Sequence, residues 1–309
     1  MENEFNLQKS RPAHFNAILS QLINHFKPLK IYLYAELNRQ ELCNSVFATT
    51  AVATEDIYYI LVITQGSTRI ENGIQEFINS HYKEAVMMVL AHGGETLDKK
   101  TAYCNPFFSA VFNNGLLLYS ADGLLYNSER PAVNPEKRLA EAVSQWYHRC
   151  DMAAGFKRSI DQIMEDGFYN VAVFLMHQVV EQACIGMIWV FIGYKSDMHN
   201  LKRLLYICGC FSKRPMQHFL ANEADATLLS LLMKSYSAAR YKDDFKVAEQ
   251  DGKKLQQLTE GFLAMAKQMC DEKFREMEEA QQVLVAEQPN NLELMVEQIQ
   301  TEQGGMNDD

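Results

Sequence analysis

The strongest pattern in the chain lies between Phe168 and Phe191. Phe168, Val171, Ala172, Leu175, Met176, Val179, Val180, Ala183, Cys184, Met187, Ile188 and Phe191 recur at three- and four-residue spacings. That period predicts a core-facing helix over 168–193. Asn170, Phe174, His177 and Glu181 stack along one flank of it, because residues three or four apart lie above one another on a helix. An apolar helix with a polar seam beside its core face suits a bundle that builds a pocket or a dimer contact. Similar periods predict helices over 136–166, 199–211, 225–241 and 248–281, with connectors short enough for antiparallel neighbours.

The first part of the chain alternates instead. Phe15, Ile18, Leu19, Leu22, Ile23 and Phe26 mark an amphipathic helix over 13–27 that Pro28 ends. Strands are predicted at Ile31–Tyr34, Asp56–Ile63, Glu84–Ala91 and Leu116–Tyr119, with an irregular stretch or weak strand at 46–52. Helices are predicted over 70–81 and 98–114. Strands alternating with helices indicate an α/β sandwich. The expected organisation is an α/β domain at 1–128, a linker at 129–135 and an all-α antiparallel bundle at 136–281. An acidic, partly disordered tail at 282–309 is expected to hold at most a short helix near 291–300.

Composition narrows the function classes. The net charge of −10 gives a whole-molecule field that does not attract nucleic acid or an anionic membrane, so RNA is not indicated by charge. The best local exception is Lys195, Lys202, Arg203, Lys213 and Arg214, for which a solvated face of short helices is the favoured reading. The seven cysteines include no CxxC pair, and Cys208-Gly-Cys210 lacks a second ligand pair at zinc-finger spacing. They read as reduced thiols, Cys184 as a buried one. The start of the chain is polar, and the apolar run Ala183–Ile192 is far short of a membrane span. A soluble cytoplasmic protein without metal or cofactor is expected.

Residues 136 to 270 resemble the HEPN domain, a helical bundle. The resemblance rests on Phe156-Lys-Arg-Ser-Ile, Gly167-Phe-Tyr-Asn170, Phe174-Leu-Met-His-Gln-Val-Val-Glu-Gln182, Gly193-Tyr, His199-Asn-Leu-Lys-Arg-Leu-Leu205 and Tyr236-Ser-Ala-Ala-Arg-Tyr-Lys-Asp-Asp244. Residues 15 to 127 are more faintly similar to the small nucleotidyltransferase domain often paired with it. The carriers there are Lys30–Tyr34, Ile57–Ile63 and Phe107–Tyr119. The resemblance implies a nucleotidyltransferase-like α/β sandwich followed by a HEPN-like bundle, and a homodimer through the bundle. Leftover apolar residues on helices 168–193 and 225–241 would supply that contact.

The chemistry of both families is missing. Transfer needs a Gly-Ser turn after the first strand and two acidic residues one position apart on the next, to hold divalent metal ions. Here the turn reads Tyr34-Ala-Glu36 and the strand Ile57-Tyr-Tyr59. Glu55 and Asp56 are adjacent, so on a strand they point to opposite faces. Glu36, Glu55 and Asp56 read as solvated vestiges. HEPN ribonucleases use an Arg followed by His after four to six residues, and no arginine in this chain has that partner. Arg214 and His218 are separated by only three residues, and Arg240 is followed at those positions by Phe245, Lys246 and Val247.

The remaining candidates are Asn170, His177, Glu181, His199, Arg240 and Tyr241. The first three either line a pocket for a polar ligand or form a structural seam in which His177 and Glu181 bond at i,i+4, the favoured reading. His199 or Asn200 opens a helix, with Asp197 an equal candidate for its cap. Arg240 suits a phosphate through its planar fork, or holds Asp243, Asp244 or the carbonyls closing its own helix. The expected function is non-catalytic. The bundle binds a nucleotide-like or other polar ligand or a partner helix, beside a degenerate transferase domain. An antitoxin-like interaction module of a defence system and an RNA-processing enzyme with an unrecognised site are the alternatives.

Overall fold

A computed structural model describes residues 11–37, 44–45, 55–66, 70–97, 104–123 and 133–304, with side chains described as far as Val283. The expected strand at 46–52, the start of the helix expected at 98, and most of the linker lie outside these residues.

The amino-terminal half is a mixed sheet with helices on it. Its elements are α1 (Ala13–Phe26), β1 (Lys30–Leu37), β2 (Asn44–Ser45), β3 (Ile57–Thr64), α2 (Glu71–His81), β4 (Val86–Gly93), α3 (Gly94–Leu97), α4 (Pro106–Asn114) and β5 (Leu116–Ser120). The strand order is β2-β1-β3-β4, and β5 shares the outer side of β1 with β2. Only β3 and β4 run parallel among the described strands. Residues alternate between the two faces, as a pleated strand requires. Ile31, Leu33, Tyr58, Ile60, Val62, Met87 and Val89 pack with α1 and α2. Tyr32, Tyr34, Tyr59, Leu61, Ile63, Met88 and Leu90 face α4 and the carboxy-terminal helices.

The edge strand β4 is closed by side chains. Gln75 donates to Met87 O at 2.8 Å and accepts from Val89 N at 3.0 Å. Glu71 accepts from Ala91 N at 3.1 Å, and Arg203 donates to Val89 O at 2.9 Å. Four outward backbone groups that would otherwise stand open on this edge are thus paired.

The carboxy-terminal half is helical: α5 (Pro135–Glu165), α6 (Tyr169–Ile192), α7 (Leu201–Cys208), α8 (Arg214–Phe219), α9 (Glu223–Tyr241) and α10 (Glu249–Gly304). Asn134 caps α5 by accepting from Lys137 N, with Pro135 at the first helical position where its missing N–H costs nothing. Helix α6 is the core of the bundle, packed by α5, α7, α9 and α10. Helix α6 is long and apolar enough to cross a membrane, against the short apolar run expected, but 78% of its most apolar stretch is buried inside the protein. At Gly186 an added Cβ would lie 2.8 Å from the Trp146 ring, so the glycine lets α5 and α6 approach closely. Helix α8 was not expected, and α10 continues past the expected end at Gln281 to Gly304, through Pro289.

The two halves share one hydrophobic core, which runs from Tyr34, Tyr59 and Phe107 into Met187, Leu204 and Cys208. Tyr59 Oη donates to Tyr206 O at 2.9 Å, Asn105 Nδ2 to Gly193 O at 3.1 Å, and His92 Nε2 meets Tyr194 Oη at 3.0 Å. Gly193 closes α6 at φ +70°, and a Cβ there would lie 2.7 Å from Pro106 Cβ. Phe168, Val171 and Tyr241 stay exposed, at 59%, 39% and 76%.

Candidate functional site

The seam residues come together where α6, the connector 193–200 and α9 meet. Glu181, on α6, is 1% exposed. Its Oε1 accepts from His199 Nδ1 at 3.0 Å, although the two residues are 18 positions apart. The His199 side chain is 62% exposed, so a buried carboxylate holds an open imidazole by Nδ1 and leaves Nε2 uncommitted. Burial raises the Glu181 pKa from the carboxylate range, against the lowering effect of the His199 bond.

The expected His177–Glu181 hydrogen bond is absent: His177 Nδ1 and Glu181 Oε2 are 3.7 Å apart, and Oε2 has no hydrogen-bond partner. Gln178 Nε2 lies 3.2 Å from His177 Nδ1, which makes that nitrogen an acceptor and the ring neutral. Burial, followed by the charges of Arg240 and His199, lowers the His177 pKa to about 4.

Tyr236 on α9 joins these groups, and sequence reasoning gave it no role in the site. Its ring lies 5.1 Å from His177 and 6.0 Å from His199, the latter stacked at 10°. The Arg240 guanidinium sits 4.3 Å from the Tyr236 centroid, 5.0 Å from Tyr241 and 5.6 Å from Phe174. Arg240 Nε donates to Tyr236 O at 2.7 Å, so of the expected partners Arg240 holds a carbonyl of its own helix. The i,i+4 spacing of Tyr236 and Arg240 was the signal available for this contact. Asn170 stands apart, half-buried in the first turn of α6, and no hydrogen bond among the described residues joins it to the cluster.

Of the residues expected to open α7, Asn200 is the cap, accepting from Arg203 N at 3.1 Å. Other expectations need correction. Of the basic set, Lys195, Lys202 and Arg214 are exposed as a solvated face has them, Arg214 pairing with Glu272, whereas Arg203 is buried and bonded to Glu71 and Asn72. Glu36 is 5% exposed and pairs with Arg11 at 3.4 Å, and Glu55 accepts from Tyr206 Oη at 2.9 Å, so neither is a solvated vestige. On β3, Tyr58 and Tyr59 face opposite sides of the sheet. Tyr58 packs on Phe15 at 4.6 Å, and Tyr59 anchors the sheet to α7. No cluster of three or more metal-ligating side chains occurs among the described residues.

The family model of the HEPN domain matches residues 147–269. Among solved structures, that of ST0689, an archaeal HEPN homologue, is 19% identical with a TM-score of 0.30, over 43% of this chain and 98% of that one. No curated protein matches. The segment 147–269, from the middle of α5 into α10, is a HEPN domain.

Proposed function

We propose that this chain is a non-catalytic binding protein whose HEPN domain takes the phosphate of a nucleotide-like ligand around Tyr236, on which His199 and Arg240 pack, with Tyr241 beside Arg240. The state of the Arg240 side chain carries this reading. It is exposed, braced over Tyr236, with only Nε spent on a backbone carbonyl, so its terminal nitrogens keep their donors. A planar, always-charged fork in that state suits a phosphate. The exposed Tyr241 ring adds a surface for stacking. The His177–Glu181 seam serves as the scaffold beneath, and the α/β half is read as a nucleotidyltransferase-like unit whose second strand has Ile57-Tyr-Tyr59 in place of the metal carboxylates.

Calorimetric titration with ATP and GTP tests this. Arg240→Ala is expected to weaken binding by at least tenfold, as loss of a charge-assisted hydrogen bond of about 1.5–3 kcal/mol implies. No heat with either nucleotide, beside a stable complex with a cellular protein on pull-down, would sink it.

One observation favours RNA processing as a second reading. The Glu181–His199 pair has the form of an oriented general base, and His199 and Arg240 each pack on the Tyr236 ring, so a histidine and an arginine stand at one site although no Arg–His motif is present in the sequence. Labelled RNA incubated in chelator at pH 7 would then be cut, and His199→Ala would slow cutting by at least about a hundredfold. Intact RNA, or cutting that survives His199→Ala, removes this reading.

A further inference from the structure

A cleft of about 430 Å³ opens between α2, the end of β4 and the connector that leads into α7. It is within the usual size of a small-molecule site. Of the residues discussed above as the phosphate face, it shares only His199.

Its wall is organised by Arg203. Arg203 Nη1 donates to Asn72 Oδ1 at 2.9 Å, and the Arg203 backbone N–H donates to Asn200 Oδ1 at 3.1 Å. Each carboxamide commits its oxygen to Arg203 and keeps its Nδ2 donors. The Nε–H of Arg203, a residue 8% exposed, is buried without a hydrogen-bond partner. Glu76 adds an exposed carboxylate, which only accepts. Amide donors from Asn72 and Asn200 and the Glu76 carboxylate thus line one cleft, and such a set complements a ligand edge that carries an acceptor oxygen next to N–H donors. Guanine has that edge: O6 beside N1–H and the N2 amino group, two donors that one carboxylate takes together. Adenine offers a single amino group there and no oxygen.

We propose that this cleft is a base subsite for a guanine-type nucleobase, and that His199 links it to the phosphate face. His199 lines the cleft and stacks on Tyr236, over which Arg240 sits. The linkage rests on the phosphate reading above, whereas the base preference stands without it.

Calorimetry on the full chain with guanosine, GMP, adenosine and AMP separates the two. Guanosine is expected to bind at least tenfold tighter than adenosine. Asn72→Asp and Asn200→Asp keep the oxygens that Arg203 uses but remove the amide donors, and each is expected to weaken guanosine at least tenfold. Glu76→Gln should erase the preference for guanosine, and circular dichroism confirms that each variant is folded. Adenosine binding as tightly as guanosine, or guanosine binding unchanged in both asparagine variants, overturns the base subsite. Base selectivity with no gain from phosphate, or with that gain intact in Arg240→Ala, overturns the phosphate face and leaves the cleft. Phosphate-dependent binding without base selectivity does the reverse, and no heat with any of the four overturns both.

Discussion

Arg203→Ala is expected to lower the thermal midpoint by roughly 5–8 °C, from a loss of about 3–5 kcal/mol. The Arg203 guanidinium donates to Glu71 Oε1, Asn72 Oδ1 and Val89 O, each at 2.9 Å. Its side chain is 9% exposed and that of Glu71 18%. Removing the cation leaves a half-buried carboxylate without its counter-charge and an edge carbonyl without a donor, which costs more than the pair itself contributes. Replacing both partners, Arg203→Met with Glu71→Leu, should recover part of the loss, because no uncompensated charge remains. Thermal unfolding followed by circular dichroism measures both. A shift under 2 °C for Arg203→Ala would mean that this residue does not hold the halves together.

Stability is expected to fall steeply between pH 6.5 and 4, and less steeply in His177→Gln. His177 is neutral and buried, with a pKa of about 4 against the ordinary 6.5. The unfolded chain binds this proton near pH 6.5, whereas the folded chain binds it only near pH 4. The stability involved is fully present above pH 6.5 and is lost as pH falls to 4, by about 3 kcal/mol at 1.36 kcal/mol per unit. The groups facing His177 are Glu181 and Gln178 from its own helix, Arg240 and Tyr236 from α9, and His199 from the connector. Glu181 works in the opposite direction. Its pKa is raised, so the folded chain takes up that proton first and acidification returns some stability. Urea midpoints at pH 7, 5.5 and 4.5 give the two slopes. Equal slopes in the native chain and His177→Gln would show that His177 does not set the acid limit.

Much of this architecture could be read in the sequence because it is periodic. The α6 stripe and the alternation within β1, β3 and β4 repeat often enough to specify their buried faces. Helix α8 escaped notice because six residues with Pro215 at the second position carry too little period. The site was legible only as a set of residue types. Spacing led to the pairing of His177 with Glu181, yet the carboxylate bonds His199 across a turn in the chain, and a contact over 18 residues leaves no local signal. The same holds for Arg203. Its neighbours Lys195, Lys202, Lys213 and Arg214 suggest a solvated patch, and only the folded chain brings Glu71 and Asn72 to it.

The closed edge of β4 bears on how the chain can be divided. Three of its four side-chain bonds come from α2, but the one to Val89 O comes from Arg203, beyond the expected linker. A fragment ending near residue 128 would lose that donor and uncover Tyr59, Tyr34 and Phe107 on the face now against the carboxy-terminal half. It would present an apolar sheet with an open edge, the surface from which strands of neighbouring copies pair and aggregate. The amino-terminal half is therefore a dependent of the helices that follow it, and soluble fragments of this protein should begin from the bundle.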